Sequence, residues 1–268
     1  MNNQTLKYEY TTRVEFSHAI GLHNILLRCL PAREGFQKSV EEDFRIQENF
    51  WYQEGQDGFG NRIISGGTSK DHRSLEYSCC GIMDMTTYCI PDANAHPAFF
   101  LPSRLTIATE GIKQLLPPLT GRMLDDCMAI AHSVHSHMQY APGTTSVLTP
   151  ADECMQRRQG VCQDYAHLMI SLCRAAGYAS RYVCGMMTGE GKTHAWVEVH
   201  DGQCWYAFDP TNDTAIATGY IKLAHGRDAL DCPVVRGVYR GMCTETSITN
   251  VIVTEKRECR ARISEPKK

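Results

Sequence analysis

Apolar and polar residues alternate from Leu6 to Ser17 (LKYEYTTRVEFS), the period-two pattern of a strand with one buried face. A second strand is expected in HNILLRCLP, ending at Pro31, and a weaker alternation runs through SVEEDFRIQ. In EGQDGFGNRII, Asp57-Gly58 and Gly60-Asn61 carry turn chemistry between two strands. SLEYSCCGIMDMTTYCIP continues the series. Short strands at this spacing predict an antiparallel β-sandwich over residues 1–105.

The period changes after the prolines at 97 and 102. Between Arg122 and Tyr140, the positions Leu124, Cys127/Met128, Ala131, Val134/His135 and Met138 recur at helical spacing, and Pro142-Gly143 closes the helix. Thr149-Pro150-Ala151-Asp152 predicts a new start, with Thr149 as N-cap, Pro150 at N1 and Asp152 at N3. Gly160 is expected to end that helix. A third helix is expected from about Cys162 to Ala176, with Ala166, Met169/Ile170 and Cys173 inward and Gly177 as its stop. Cys162 would then sit in a first helical turn, where free N–H groups and the helix dipole stabilise a thiolate. A buried cysteine that merely falls at a helix start is an equally good reading of position alone.

SRYVCGMM is a further strand, followed by the loop Thr188–Lys192. The next two strands, HAWVEVH and CWYAFDPT, flank Asp201-Gly202, the pair preferred in a two-residue type I′ turn. That turn pairs His200 with Gln203, Val199 with Cys204, Val197 with Tyr206 and His194 with Asp209. Side chains directly opposed in this way have Cβ atoms roughly 4.5–5.5 Å apart, close enough for an imidazole–carboxylate hydrogen bond. A one-residue change of register would break the pair.

The 268 residues are 43% hydrophobic and 21% charged, with a net charge of −3. That balance suits a globular core and gives no electrostatic case for nucleic acid or an anionic membrane. The start, MNNQTLKYEY, lacks the basic and apolar regions of a secretory signal, and no apolar run is long enough to span a bilayer. The thirteen cysteines show no C-x-x-C spacing. A cytoplasmic location with free thiols is therefore expected. In AHSVHSH, His132, His135 and His137 lack a further ligand at evident spacing, so a solvated helix face is expected rather than a metal site. Vicinal Cys79-Cys80 reads as a strand edge, and the basic tail EKRECRARISEPKK as a frayed terminus. No P-loop or dinucleotide fingerprint stands out.

Cys162 as nucleophile, His194 as base and Asp209 as the group orienting it form a coherent set for acyl transfer. The bland alternative for His194 and Asp209 is a surface pair at two strand ends. The stretches GVCQDYAHLMISLCRAAGYASRYVCGM, HAWVEV and WYAFDPTN resemble the transglutaminase-like superfamily, and more narrowly its bacterial cysteine-protease-like members. The resemblance covers about residues 120–240. DGFGN (Asp57–Asn61) is similar to a hairpin of that group's N-terminal β domain, and Gly226–Gly241 to its closing segment.

The resemblance maps the family's catalytic cysteine, histidine and aspartate onto Cys162, His194 and Asp209. It implies an α+β fold: a papain-like transglutaminase core (106–268) preceded by the β-sandwich domain (1–105). It also suggests an upstream aromatic, Tyr140, as second oxyanion donor beside the Cys162 N–H. Trp196 is a candidate site wall, with core packing as the plainer reading. Asp164 and His167, a turn beyond Cys162, fit helix-end charge balance.

The expected activity is a hydrolase, protease or deamidase, working on a peptide or protein substrate through a Cys162 thioester without cofactor or metal. Amine transfer that cross-links proteins is the alternative. So is a non-catalytic binding module on the same fold.

Overall fold

The structure, a computed structural model, describes residues 4–256. The basic tail lies almost wholly outside them. The first strands are β1 (Gln4–Leu27), β2 (Gln37–Ile46), β3 (Trp51–Gln56), β4 (Arg62–Thr68), β5 (His72–Met85) and the two-residue β6 (Ile90–Pro91). Then come α1 (Glu110–Lys113), α2 (Met123–His137), β7 (Gln139–Tyr140), α3 (Ala151–Arg157), β8 (Gln159–Gly160) and α4 (Cys162–Ala175). After them run β9 (Ser180–Met187), β10 (Gly189–Gly191), β11 (His194–His200), β12 (Cys204–Asp209), β13 (Thr214–Ile216) and β14 (Tyr220–Gly226). The last two are β15 (Val235–Arg240) and β16 (Glu245–Glu255). The architecture is α+β, with a β-rich region and a mixed core.

β1 organises the β-rich region. Its buried residues are Leu6, Tyr8, Tyr10, Thr12, Val14, Phe16 and Ile20, then Gly21, His23, Ile25 and Leu27. The parity of the inward set changes between Ile20 and Gly21, just past the stretch where the register with β5 shifts. The two strands expected from the sequence are thus one strand with an irregularity in its middle. Its first half pairs with β5 and β16, and its second half with β4 and β15. The turn chemistry at Asp57–Asn61 closes the β3–β4 hairpin, with Asp57 Oδ1 accepting from the N–H groups of Phe59 and Asn61.

The last strands of the chain, β15 and β16, therefore lie in the sheet of the first hundred residues. The boundary expected at residue 105 does not separate the sheets. Pairing between residues more than two hundred positions apart leaves no local sequence signal.

The second sheet has the order β13-β12-β11-β9-β14, with β6 against β12. Both its faces are covered. Ala195, Val197, Val199 and Phe208 pack with the helices, and Val183, Trp196, Trp205 and Ile221 pack with the β-rich region. α4 lies in the middle of the helical side. From Asp164 to Arg174 every residue is buried, far more than the single stripe expected. Full burial of Leu168, Ile170 and Leu172 contributes about 1.5–3 kcal/mol each. That fixes the helix, and its N-terminal end, against β11.

Candidate active site

Cys162 is the first residue of α4, and its side chain is partly exposed. The helix start is defined by Asp164. Its Oδ2 accepts the N–H of Val161 at 2.7 Å and the hydroxyl of Thr145 at 2.6 Å. Its Oδ1 accepts the Cys154 thiol at 3.2 Å. Asp164 is fully buried and acts as a cap, as charge balance at a helix end suggests.

Gly160 is needed here because a Cβ would lie 2.6 Å from Asp164 Oδ2. It does not terminate α3. That helix ends at Arg158, which itself takes the left-handed conformation at φ 54°. Its N-cap is Pro150 rather than Thr149, whose hydroxyl instead accepts the N–H of Ser146.

The hairpin that carries His194 differs from the expected two-residue turn. The ladder pairs His200 with Trp205, Val199 with Tyr206 and Val197 with Phe208. The loop spans Asp201–Cys204, and Asp201 Oδ1 accepts the N–H groups of Gln203 and Cys204. These side-chain bonds favour a longer loop over the tight I′ turn. The register is offset by two positions from the expected one, so every side chain keeps its face. Asp209 becomes a diagonal neighbour of His194 instead of its direct partner. His194 Nε2 still lies 2.7 Å from Asp209 Oδ2.

Asp209 is wholly buried and saturated with donors. Besides His194, Oδ2 accepts Tyr220 Oη at 2.8 Å and Asn212 Nδ2 at 2.7 Å. Oδ1 accepts the main-chain N–H groups of Thr211 and Asn212. Burial pushes this carboxyl up, but the His194, Tyr220 and Asn212 donors outweigh it and hold it below the ordinary carboxylate range. At His194, burial disfavours the imidazolium. The Asp209 hydrogen bond, and then the nearby Cys162, overcome that and raise it to about 9. With Nε2 on Asp209, Nδ1 is the ring nitrogen left for the sulfur.

Cys162, His194 and Tyr140 line one cleft of about 260 Å³. The segment Met187–Thr193 also lines it. Tyr140 is held next to the cysteine by a short parallel ladder, Tyr140 opposite Gly160, with the Ala141 N–H on Gly160 O at 2.9 Å. Burial, and then the nearby Cys162, push its phenol up. Trp196 does not wall the cleft. It is fully buried beneath His194, ring centroids 6.4 Å apart, and its indole N–H reaches Tyr88 Oη. A tryptophan on the inward face of a central strand is core, the plainer of its two readings.

The histidines of α2 diverge. His132 pairs with Asp213, His135 with Thr211 O and His137 with Met155 O. The first two clamp the turn that follows Asp209. Among the described residues no cluster of three metal-ligating side chains exists. His167 is buried, lowered to about 4 by desolvation, and accepts the Ala229 N–H. Its role is structural.

Sequence reasoning missed Tyr220 and Asn212. Asn212 follows Asp209 in DPTN, a pattern suited to local side-chain turns. Tyr220 carries no local signal, because it arrives from a strand on the far side of β9.

A family description, the transglutaminase-like superfamily, matches residues 113–210, a span that contains Cys162, His194 and Asp209. An uncharacterised protein of Mycobacterium tuberculosis (strain H37Rv) is 31% identical over 223 residues, 68% of this chain and 70% of that protein. One from Mycobacterium leprae is 37% identical over 124 residues, so this chain covers less than half, 44%, of that relative. The crystal structure of a candidate cysteine protease from Cytophaga hutchinsonii superposes with a TM-score of 0.77 at 22% identity. The superposition covers 95% of this chain and 91% of that one, and shows a shared fold.

Proposed function

Because the chain belongs to the transglutaminase-like superfamily, we propose that it is a thiol-dependent acyl-transfer enzyme that hydrolyses peptide or carboxamide bonds. The observation that carries the reading is His194, hydrogen-bonded to Asp209 at 2.7 Å and lining one cleft with Cys162.

In this reading His194 takes the Cys162 proton, and the helix N-terminus and the imidazolium stabilise the thiolate. The sulfur attacks the carbonyl carbon. Negative charge then builds on the carbonyl oxygen, where the Cys162 N–H and Tyr140 Oη are the proposed donors. As the C–N bond breaks, the imidazolium gives its proton to the departing amine or ammonia. Water, deprotonated by His194, attacks the thioester and releases the carboxylic acid and the free thiol. Asp209 holds the ring orientation throughout.

The test is the pH profile of Cys162 alkylation by iodoacetamide, with peptide mapping to separate it from the other thiols. Cys162 is expected to react well below pH 7, and His194→Ala to abolish that reactivity. If Cys162 instead titrates near the ordinary thiol value of about 8.5 in both proteins, it is not an activated nucleophile and the reading fails.

A further inference from the structure

A short strand with one open edge lines the same cleft as Cys162. β10 pairs with β16 on one side, and among the described residues no strand covers its other side. Which main-chain groups stay open follows from the ladder. The Lys256 N–H donates to Thr5 O at 2.8 Å, and β1 and β16 run antiparallel with Lys7 opposite Thr254 and Glu9 opposite Ile252.

Hydrogen-bonded pairs recur at every second residue. Thr254 and Ile252 therefore turn their N–H and C=O groups toward β1, and Val253 and Val251 turn theirs toward β10. Opposite these stand Gly189 and Gly191. The glycines spend their main-chain groups on β16. The N–H and C=O of Glu190 point to the open side, joined by the N–H of Lys192. Thr188, just before the positive-φ Gly189, gives its N–H to Gly219 O at 2.9 Å, which anchors the arm.

We propose that the acyl donor is an extended peptide that adds as a strand to the Glu190–Lys192 edge. This rests on the hydrolase reading above and specifies its substrate. Three observations favour a peptide. The open edge and the partly exposed Cys162 share the cleft, so a chain paired at the edge passes the thiol. About 260 Å³ is smaller than the roughly 300–1,000 Å³ of compact small-molecule pockets, but suits part of a longer chain lying across it. At Gly189 and Gly191 a Cβ would meet nothing within 4 Å, so the space over the arm there is open to a ligand. Main-chain pairing of this kind is largely indifferent to sequence. β10 is three residues long and carries the charge of Glu190, with Lys192 just beyond it, which protects the edge from pairing with itself.

The test uses a peptidyl electrophile, acetyl-tetraalanyl fluoromethyl ketone, and a set of analogues in which each amide in turn is N-methylated. Cys162 Sγ forms a thioether with the methylene carbon, fluoride leaves with the bonding pair, and the thiol proton passes to solvent. Mass spectrometry reads the rate at Cys162, and iodoacetamide serves as a reagent that needs no edge.

Strand addition predicts slower labelling, about tenfold, at alternate N-methyl positions and little change between them. Glu190→Pro removes one donor at a position where an edge strand tolerates proline, and should abolish the alternation. The unmodified protein with the N-methyl series is decisive even if that variant folds poorly. Rates indifferent to N-methylation, or lowered equally at every position, overturn the proposal while normal iodoacetamide labelling leaves the nucleophile reading standing. Failure of iodoacetamide to label Cys162 overturns the reading of the site, and strand addition with it.

Discussion

Asp209 Oδ2 accepts three side-chain hydrogen bonds at once, and one of them, from His194 Nε2 at 2.7 Å, fixes the imidazole beneath the cleft. A carboxylate with no solvent exposure persists in its charged form only when donors replace its water. Here five donors do so. Asp209→Asn keeps the size but reverses a donor and acceptor, and leaves His194 able to adopt the wrong tautomer. We expect kcat to fall by about 10²–10⁴ with little change in fold. Steady-state kinetics beside a circular dichroism spectrum checks this, and an undiminished kcat would remove Asp209 from the mechanism.

Tyr220 touches Asp209 and not the cleft, so its effect should run through the carboxylate. Tyr220→Phe removes one donor to a charged oxygen, a loss that corresponds to about tenfold in rate. Without that donor Asp209 becomes more basic, and the acid limb of the kcat/KM profile should move to higher pH. A merely structural role would lower activity evenly at every pH. The two outcomes separate in a single pH series.

His194 is raised to about 9 from an ordinary value near 6.5, so the folded protein binds this proton more tightly than the unfolded chain. The resulting stabilisation is fully present below about pH 6.5 and is lost as pH rises through about 9. Urea unfolding of the wild type and of His194→Ala should therefore show a stability difference that shrinks between pH 6 and pH 10. Cys162 contributes to the raised value, so Cys162→Ala should lower the pH at which the loss occurs. A difference constant across the range would mean that His194 is not charged in the folded state.

Much of the site was legible because its parts are local. The helix start at Cys162 follows from Gly160 and Asp164, four residues apart in the sequence. The face shared by His194 and Asp209 follows from strand parity, and parity survives the longer Asp201–Cys204 loop because the slip is even. The exact pairing did not survive, since Asp201 builds its own turn. What stayed invisible is what distant strands deliver. Tyr220 reaches Asp209 from β14, β16 returns to β1, and β10 becomes an edge only because β16 is there. Periodicity marks which face of a strand is buried and says nothing of which strand lies beside it.

The same non-local assembly buries a charge network between the two sheets. Glu198, on the face of β11 that carries His194 and Trp196, has no solvent exposure. It accepts hydrogen bonds from Arg181, from Lys222 Nζ at 3.1 Å and from Tyr88 Oη at 2.5 Å. Lys222 also reaches Glu34 at 2.9 Å, and Arg181 stacks over Trp205 at 4.1 Å. Burial pushes the Glu198 carboxyl up, but the Arg181 and Lys222 charges prevail and hold it below its ordinary value.

Removing one member of such a group leaves its partners buried and uncompensated, a cost of about 3–5 kcal/mol. Glu198→Gln should therefore lower Tm by roughly 10 °C or more in a chain of this size. Because Tyr88 and Glu34 belong to the β-rich side and Arg181 to the core, both should melt in one earlier transition. Calorimetry reads this directly. At temperatures where the variant is still folded, the alkylation rate of Cys162 should match the wild type. A variant as stable as the parent would show that Arg181 and Lys222 find other partners and that Glu198 does not join the two regions.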